Sequence, residues 1–322
     1  MIAIVFSLLA SLYLAIGIGA NDETMAPVAG SGVLSLNSSI ILGAIMASLG
    51  AVILGKKVEN TLGSGLLYEP LGTLEIVIVL MSVAVFLTVA SLWGLPVSTT
   101  HSTVGSVVGV GIAKWGVDSL SRASLIRVSI GWIVSPLIGL VGAYLLNQLF
   151  RAFQKNYVGG LGEDLRINRR SALLLLFWIC LTEFSRGAND VANVTAFLIP
   201  LDFSKPLIIR LVTSLGLAVG LIFIGKRVVR RVGTGLVSID PVSGLAAQIV
   251  VSLTLLSGTL LGLPISGTHV LIGSFVGLGV SEKRYIDFSD IREIMVAWLG
   301  TFIGTFSLSY LGHYLLVFTG MQ

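Results

Sequence analysis

The sequence predicts an all-α polytopic membrane protein made of two repeats with inverted topology. Three observations support this prediction: few charged residues, a series of long apolar stretches, and an internal duplication. Of the 322 residues, 55% are hydrophobic and only 11% are charged, whereas an ordinary soluble domain is about 25% charged. So few charges do not cover a water-facing surface, and so apolar a chain does not stay disordered. The composition therefore excludes a soluble globular protein and a disordered one.

Ten apolar stretches follow one another, most of them close to the ~20 residues that cross a bilayer as a helix. They are residues 2–20, 38–55, 72–95, 103–113, 126–150, 171–186, 207–225, 242–262, 268–280 and 290–318. The two short stretches either cross or are re-entrant. A polar stretch with five Lys or Arg residues separates the fifth from the sixth. The sequence thus predicts a first transmembrane repeat over 1–150, a linker over 151–170 and a second repeat over 171–322.

The internal duplication is seen in polar residues that keep their register. Gly-Ala-Asn-Asp at 19–22 recurs at 187–190, and residues 92–111 match 260–279 at twelve of twenty positions. Each half holds about five segments, an odd number, so the second half enters the membrane from the opposite side. Such inverted repeats are typical of secondary transporters, whose sites lie near the midplane on interrupted helices.

The distribution of Lys and Arg predicts the orientation. If all ten segments cross and the amino terminus is outside, the inner loops hold twelve basic residues and the outer loops seven. Positive charge is enriched on the cytoplasmic side. We therefore expect a multi-pass protein of the cell membrane with both termini extracellular and the linker cytoplasmic. Basic residues in short runs between apolar segments do not indicate a nucleic-acid partner.

The first repeated motif places polar side chains inside the apolar background. Asn21 and Asp22 end one apolar run, and Asn189 and Asp190 do the same in the second half. Glycine permits a break in the helix, and Asn or Asp caps the helix that follows. Freed carbonyls together with these side-chain oxygens form a hard-oxygen site that suits a small cation without separating Na⁺ from a proton. Each copy therefore predicts a broken helix with a cation site.

The second repeated motif is a cluster of hydroxyl groups after a proline. Its residues are Ser98, Thr99 and Thr100 in the first half and Ser266, Gly267 and Thr268 in the second. The cluster is expected to cap the helix that follows, and a helix amino terminus favours an anion. Two such ends converge if a pseudo-two-fold axis relates the repeats. The sequence therefore predicts an oxyanion site that needs no Lys or Arg.

Two histidines follow the hydroxyl clusters. His101 and His269 lack the second His or nearby Cys that metal sites use. We expect each to form hydrogen bonds that orient its Ser/Thr loop.

Three further charged residues lie in or near apolar stretches. Glu183 and Arg186 have no charged counterpart in the first half and are expected to pair with each other at i,i+3. Glu75 is expected near a membrane interface.

The two motifs resemble those of the PiT inorganic phosphate transporter family. Gly-Ala-Asn-Asp in both halves, Gly-Leu-Pro-Val-Ser-Thr-Thr-His at 94–101 and Gly-Leu-Pro-Ile-Ser-Gly-Thr-His at 262–269 carry this resemblance over nearly the whole chain. It implies symport of phosphate with a cation, Na⁺ before H⁺, together with re-entrant hairpins and a homodimer. It also implies a bacterial or archaeal member, no cofactor besides the coupling ion, and a one-sided role for Glu59.

The resemblance also implies site residues. Phosphate would be held by Ser98, Thr99, Thr100, Ser266, Gly267, Thr268, Asn21 and Asn189. Na⁺ would be held by Asn21, Asp22, Asn189 and Asp190.

Three other functions remain open from the residues alone. A sulfate carrier of the same plan needs only donors around its anion, whereas phosphate keeps a proton and profits from an acceptor such as Asp22. Discontinuous helices also line ion channels. An intramembrane enzyme is the least favoured, because no spacing of nucleophile and base and no metal motif is present.

Overall fold

The computed structural model describes residues 2–62, 65–157, 160–195, 198, 206–261 and 265–320, and this part of the chain is almost entirely α-helical. The first half comprises α1 (Ile2–Asn21), α2 (Ala26–Gly30), α3 (Leu36–Leu62), α4 (Thr73–Leu92), α5 (Thr99–Trp115) and α6 (Arg122–Tyr157). The second comprises α7 (Leu161–Thr195), α8 (Pro206–Gly220), α9 (Lys226–Arg230), α10 (Pro241–Leu261), α11 (Gly267–Glu282) and α12 (Phe288–Phe318). Each of the ten predicted segments coincides with a helix of 15 residues or more, two of which are short, and segment 207–225 runs from α8 into a π-helical turn.

The helices differ in their ability to span a membrane. A π-helical turn, Leu221–Gly225, joins α8 to α9, and a second, Arg231–Gly235, extends α9, so that these segments form one rod. Among the residues described, seven helices are long and apolar enough to cross: α3, α4, α6, α7, the α8–α9 rod, α10 and α12. α5 has 17 residues and α11 has 16, fewer than the ~20 that a bilayer requires. The protein is therefore a multi-pass membrane protein with two short internal helices.

The two halves interleave instead of lying side by side. α5 packs on α12 and α11 on α6, while α1 packs on α8 and α7 on α3. The contact of α11 with α6 repeats that of α5 with α12, because α5 and α11, and likewise α6 and α12, are equivalent helices of the two halves. In the same way the contact of α7 with α3 repeats that of α1 with α8. This packing is consistent with a pseudo-two-fold axis between the repeats. The proposed domain boundaries remain a prediction, and α6 and α7 both extend into the polar stretch 151–170.

Glycines of the first motif bring helices of different halves into backbone contact. A Cβ added to Gly19 would lie 2.0 Å from the carbonyl oxygen of Leu217, and one added to Gly187 would lie 2.1 Å from that of Ala47. No side chain fits at either position. Small residues allow the close helix packing that membrane proteins use. α1 and α7 are thereby fixed against α8 and α3.

Only the first copy of the Asn-Asp motif breaks its helix. α1 ends at Asn21, where Asp22 Oδ1 accepts hydrogen bonds from the backbone N and the hydroxyl of Thr24, at 2.9 and 2.7 Å. The second copy has Ala192 in place of Thr24 and lacks this turn. There α7 continues to Thr195, and the amide of Asn189 donates back to the carbonyl of Ser185 at 3.2 Å. The predicted break at 187–190 was therefore wrong.

Ionic groups join the helix ends. Lys114 Nζ lies 2.6 Å from Glu75 Oε1 and so links α5 to α4. This ion pair explains why a carboxylate is tolerated at Glu75, at the start of an apolar helix. Elsewhere Arg151 and Arg284 both bind Asp240 and Glu282, linking α6, α10 and α11. The side chain of Glu59 lies outside the described residues.

Candidate functional site

The amino termini of α5 and α11 meet in the interior of the protein. Ser98 and Ser266 are their N-caps, and their side-chain oxygens accept hydrogen bonds from the backbone N of His101 and His269. The two serine hydroxyls are 3.1 Å apart. Because Ser98 and Ser266 are equivalent in the repeat, the pseudo-two-fold axis passes between them. The predicted convergence of the two hydroxyl clusters is observed.

Each helix amino terminus offers donors to an anion. Thr99 and Thr100 form the first turn of α5, and Gly267 and Thr268 form that of α11. The first N–H groups of a helix have no intrahelical partner and carry the positive end of its dipole. The hydroxyls of Ser98 and Thr100, 2.8 Å apart, add to these donors. The geometry suits a small oxyanion between the two ends.

Asn21 anchors the loop that leads into α5. Its Nδ2 donates to Ser91 Oγ and to the carbonyl of Leu95, both at 3.0 Å, and its Oδ1 accepts from the backbone N of Val97 at 3.0 Å. These three bonds occupy the amide. Asn21 therefore positions the loop in this conformation. Asn189 is half-buried, and the one side-chain hydrogen bond it forms with described residues is the bond within α7 given above, so it is not the structural equivalent of Asn21.

The two motif aspartates lie around one arginine. Arg186 Nη1 is 3.6 Å from Asp22 Oδ1, and Arg186 Nε is 3.7 Å from Asp190 Oδ2. Nη1 also donates to Glu23 Oε1 at 2.8 Å and to Thr24 Oγ1 at 2.9 Å. The expected pairing of Arg186 with Glu183 was wrong, because the guanidinium turns across the halves to the loop that follows α1. Sequence reasoning missed Glu23 altogether.

Glu183 has a different environment. It is fully buried, and its carboxyl group lies against that of Asp22 at a separation where the two share a hydrogen bond when one of them is protonated. Four buried carboxylates, those of Asp22, Glu23, Glu183 and Asp190, therefore face one guanidinium. A buried charge is costly unless it is paired, so this cluster favours the entry of cations.

Aromatic rings pack against the two hairpin tips, the name used here for Ser98–Thr100 and Ser266–Thr268. His101 stacks on Trp132 with ring centroids 3.7 Å apart, and His269 packs on Trp298 at 3.8 Å. The two histidine rings are 4.7 Å apart, and His269 Nδ1 lies 3.1 Å from the carbonyl oxygen of Trp132. The side chains thus act mainly through ring packing, whereas the bonds to Ser98 and Ser266 come from the backbone N of each histidine.

Most of the site is buried in this structure, whereas Thr99, Thr100 and Gly267 are half-buried. Ser98 and Ser266 are 1% and 3% exposed, and Asp22 and Asp190 are 5% and 7% exposed. Within the described residues, no three His, Cys, Asp or Glu side chains form a metal-binding group. Any cation ligands here would therefore include hydroxyl, amide or carbonyl oxygens, as hard cations accept.

Comparison with known proteins identifies the family. The model of the phosphate transporter family matches residues 18–309. The chain belongs to the phosphate transporter family. The match includes both Asn-Asp motifs and both hairpin tips.

Relatives and a solved structure agree with this assignment. The chain is 27% identical to a candidate phosphate permease of Chlamydia pneumoniae, with 92% of this chain and 94% of the relative aligned. It is 24% identical to the chloroplastic inorganic phosphate transporter 2-1 of Arabidopsis thaliana, over 92% of this chain and 69% of the relative. The fold is similar to that of a sodium-dependent phosphate transporter, with a TM-score of 0.85 and 21% identity, over 99% of this chain and 100% of that one.

Proposed function

We propose that this protein is a secondary active transporter that carries inorganic phosphate across the cell membrane together with a cation, Na⁺ before H⁺. The observation that carries the proposal is the contact of Ser98 and Ser266, which brings two helix amino termini together beside buried carboxylates. Membership in the phosphate transporter family and the likeness to a sodium-dependent transporter support the same substrate and coupling ion.

The anion is proposed to bind at the two helix amino termini. Ser98, Thr99 and Thr100 on one side and Ser266, Gly267 and Thr268 on the other supply hydroxyl and backbone donors. Glu23 Oε2 is buried without a hydrogen-bond partner in the described part of the chain, and the Thr268 hydroxyl lies beside that carboxylate. An acceptor at this place favours phosphate, which keeps a proton near neutral pH, over sulfate.

The cations are proposed to bind next to the anion, at Asp22 and Asp190 with oxygens of Asn21 and Asn189. Phosphate carries one or two negative charges, and carboxylates beside it repel it unless cations lie between them. This requirement couples the two solutes, because phosphate binds well only after the cations have entered. Asn21 contributes through its backbone carbonyl if its side chain keeps the bonds to Ser91 and Val97.

Alternating access follows from the arrangement of the halves. Most of the site is buried, and it lies among pairs of equivalent helices. In each pair one helix comes from each half, and the two run in opposite directions across the membrane. Opening one side and then the other would expose the site to each compartment in turn. Burial of both cap serines and both motif aspartates also argues against a continuously open channel. The orientation with both termini outside and a cytoplasmic linker, and assembly as a homodimer, are part of the same proposal.

Uptake of radiolabelled phosphate into proteoliposomes tests the function. We expect saturable uptake that depends on an inward Na⁺ gradient and falls when choline replaces Na⁺ at fixed pH. Excess sulfate should leave it unchanged. Uptake driven equally well by a proton gradient in choline would mean that H⁺ is the coupling ion. Loss of phosphate uptake in excess sulfate would mean that sulfate is the preferred substrate, and large unsaturable currents would identify a channel.

A further inference from the structure

Several positions in the site depart from the internal repeat, and the structure brings three of them together at the amino terminus of α11. Glu23, Arg186 and Gly267 stand where the other half has Val, Ile and Thr. Arg186 donates to Glu23 at 2.8 Å. A Cβ added to Gly267 would lie 3.5 Å from Nη1 of Arg186. Three exceptions to the symmetry that contact one another indicate one common role.

The guanidinium of Arg186 lies at the amino terminus of α11. Gly267 is the first residue of this helix, and its cap Ser266 contacts Ser98. A threonine at 267, as in the first half at Thr99, would extend beyond its Cβ into the space beside Nη1. Gly267 therefore leaves room for Arg186 at the place where the hydroxyl clusters converge.

Glu23 and Thr24 hold the guanidinium in this place. Both bonds described for it come from Nη1, at 2.8 Å to Glu23 Oε1 and 2.9 Å to Thr24 Oγ1. An arginine has five N–H groups in a planar fork. The three on Nε and Nη2 take no part in these bonds, although Nε lies 3.7 Å from Asp190 Oδ2 in an ion pair. Arg186 is thus anchored through Nη1, and among the described residues its Nε and Nη2 groups form no hydrogen bond that would keep them from an anion.

We infer that Arg186 is a direct ligand of the transported anion and supplies, in the second half, the donor that Thr99 supplies in the first. The inference rests on the proposed function, in which this site carries phosphate. A guanidinium binds phosphate oxygens through two parallel N–H groups, an arrangement that a hydroxyl does not offer. Glu23 then acts as a positioning residue, which holds the fork while the anion enters and leaves.

The competing role for Arg186 is that of a counter-ion to the carboxylates around it, chiefly to Glu23 at 2.8 Å, with Asp22 and Asp190 at 3.6 and 3.7 Å. Charge removal from both partners distinguishes the two roles. If Arg186 binds the anion, Arg186→Gln weakens phosphate binding about tenfold or more, the factor for losing a hydrogen bond to a charged group. The double variant Glu23→Gln/Arg186→Gln then binds phosphate as weakly as Arg186→Gln does. If Arg186 only neutralises Glu23, the double variant regains wild-type affinity.

The test is equilibrium binding of radiolabelled phosphate to purified protein in saturating Na⁺, with half-saturation and maximal rate measured in proteoliposomes. Arg169→Gln, an exposed change on the same helix, is the matched control and should bind like wild type. Arg186→Lys should bind with intermediate affinity, since it keeps the charge and loses the fork. The double variant removes the closest ion pair as a whole, and the saturating Na⁺ of the assay neutralises Asp22 and Asp190, which also lie near Arg186. It therefore decides even if Arg186→Gln is unstable. Wild-type affinity in the double variant overturns the inference. A wild-type protein that fails to bind phosphate overturns the proposed function instead, whatever the variants do.

Discussion

The two hairpin tips and the two Asn-Asp motifs come from the same duplication, but they have diverged to different degrees. At the tips, Ser98 and Ser266 have the same role, the same backbone bond and nearly the same burial. In the Asn-Asp region, the first copy ends its helix at Asn21 while the second stays helical to Thr195. Apart from Gly267 in the place of Thr99, the tips retain the symmetry of the repeat, and the acidic region does not.

This difference separates the two tasks of the site. A tip that belongs to either half can present the same donors to an anion from either side, so symmetry is useful there. In the proposed function, the charges of the acidic region bind the coupling cations, and a single set of charges can serve transport in both directions. Glu23, Glu183 and Arg186 break the symmetry of this region without disturbing the contact of Ser98 with Ser266.

The largest effect is expected from removing a motif carboxylate. Asp22→Asn and Asp190→Asn should each abolish Na⁺-coupled phosphate uptake, because the amide no longer attracts the cations that screen the anion. Asn keeps the oxygen that accepts from Thr24 at position 22, so the fold should persist. Asp118→Asn, an exposed change, is the control. Uptake that depends normally on Na⁺ in both variants would rule out the aspartates as cation ligands.

The two motif asparagines should differ in their effect on stability. Asn21→Ala removes three hydrogen bonds in a buried loop, and we expect a loss of about 2–4 kcal/mol, because each buried group left unpaired costs about 1–3 kcal/mol. Asn189→Ala removes one bond within a helix and should cost less than about 1 kcal/mol. Unfolding of the purified proteins in detergent measures both. Equal losses would mean that the two copies are structurally equivalent after all.

The tips should respond alike to the loss of a hydroxyl. Thr100→Val and Thr268→Val keep the shape of the side chain and remove one donor each. A hydrogen bond to a charged group is worth about 1.5–3 kcal/mol, so the half-saturation concentration for phosphate should rise about tenfold in both. The maximal rate should change less. If neither variant shifts half-saturation, the hydroxyls only cap their helices.

The smallest effect concerns the aromatic support behind the tips. Trp298 donates from Nε1 to the carbonyl of Pro96 at 3.2 Å and packs on His269. Trp298→Phe keeps a ring and loses the bond, which should lower the free energy of unfolding by about 1 kcal/mol. Trp93→Phe, at a residue 72% exposed, provides the comparison. No difference between the two variants would mean that the bond to Pro96 does not hold the loop.

Much of the fold could be predicted from the sequence because its determinants are local or repeated. Apolar length alone located the ten long helices. The duplicated Ser-Thr clusters predicted two helix amino termini that converge, since a two-fold relation brings equivalent residues together. The close packing at Gly105 and Gly273 was also predictable, and a Cβ at either would lie within 2.5 Å of a carbonyl oxygen of a neighbouring helix.

The remaining features depend on single residues outside the repeated motifs. In the first copy Thr24 bonds to Asp22 where the helix ends, whereas Ala192 at the equivalent place in the second copy has no hydroxyl and the helix continues. The four residues that the two copies share do not contain this difference. The partner of Arg186 could not be inferred, because Glu23 lies 163 residues away in the other half. The one available signal was the failure of positions 23, 183 and 186 to match their repeat equivalents. The stacking of His101 and His269 on tryptophans of α6 and α12 required the packing of helices across the halves.

The central claim is that two symmetric tips meet at a site that opens to one side at a time. Val97 and Ile265 directly precede the two cap serines. In a Cys180→Ser background, Val97→Cys and Ile265→Cys should be labelled by a membrane-impermeant thiol reagent from opposite sides. Saturating phosphate with Na⁺ should change both labelling rates. Labelling of both positions from the same side under all conditions, or from both sides at once, would contradict the account.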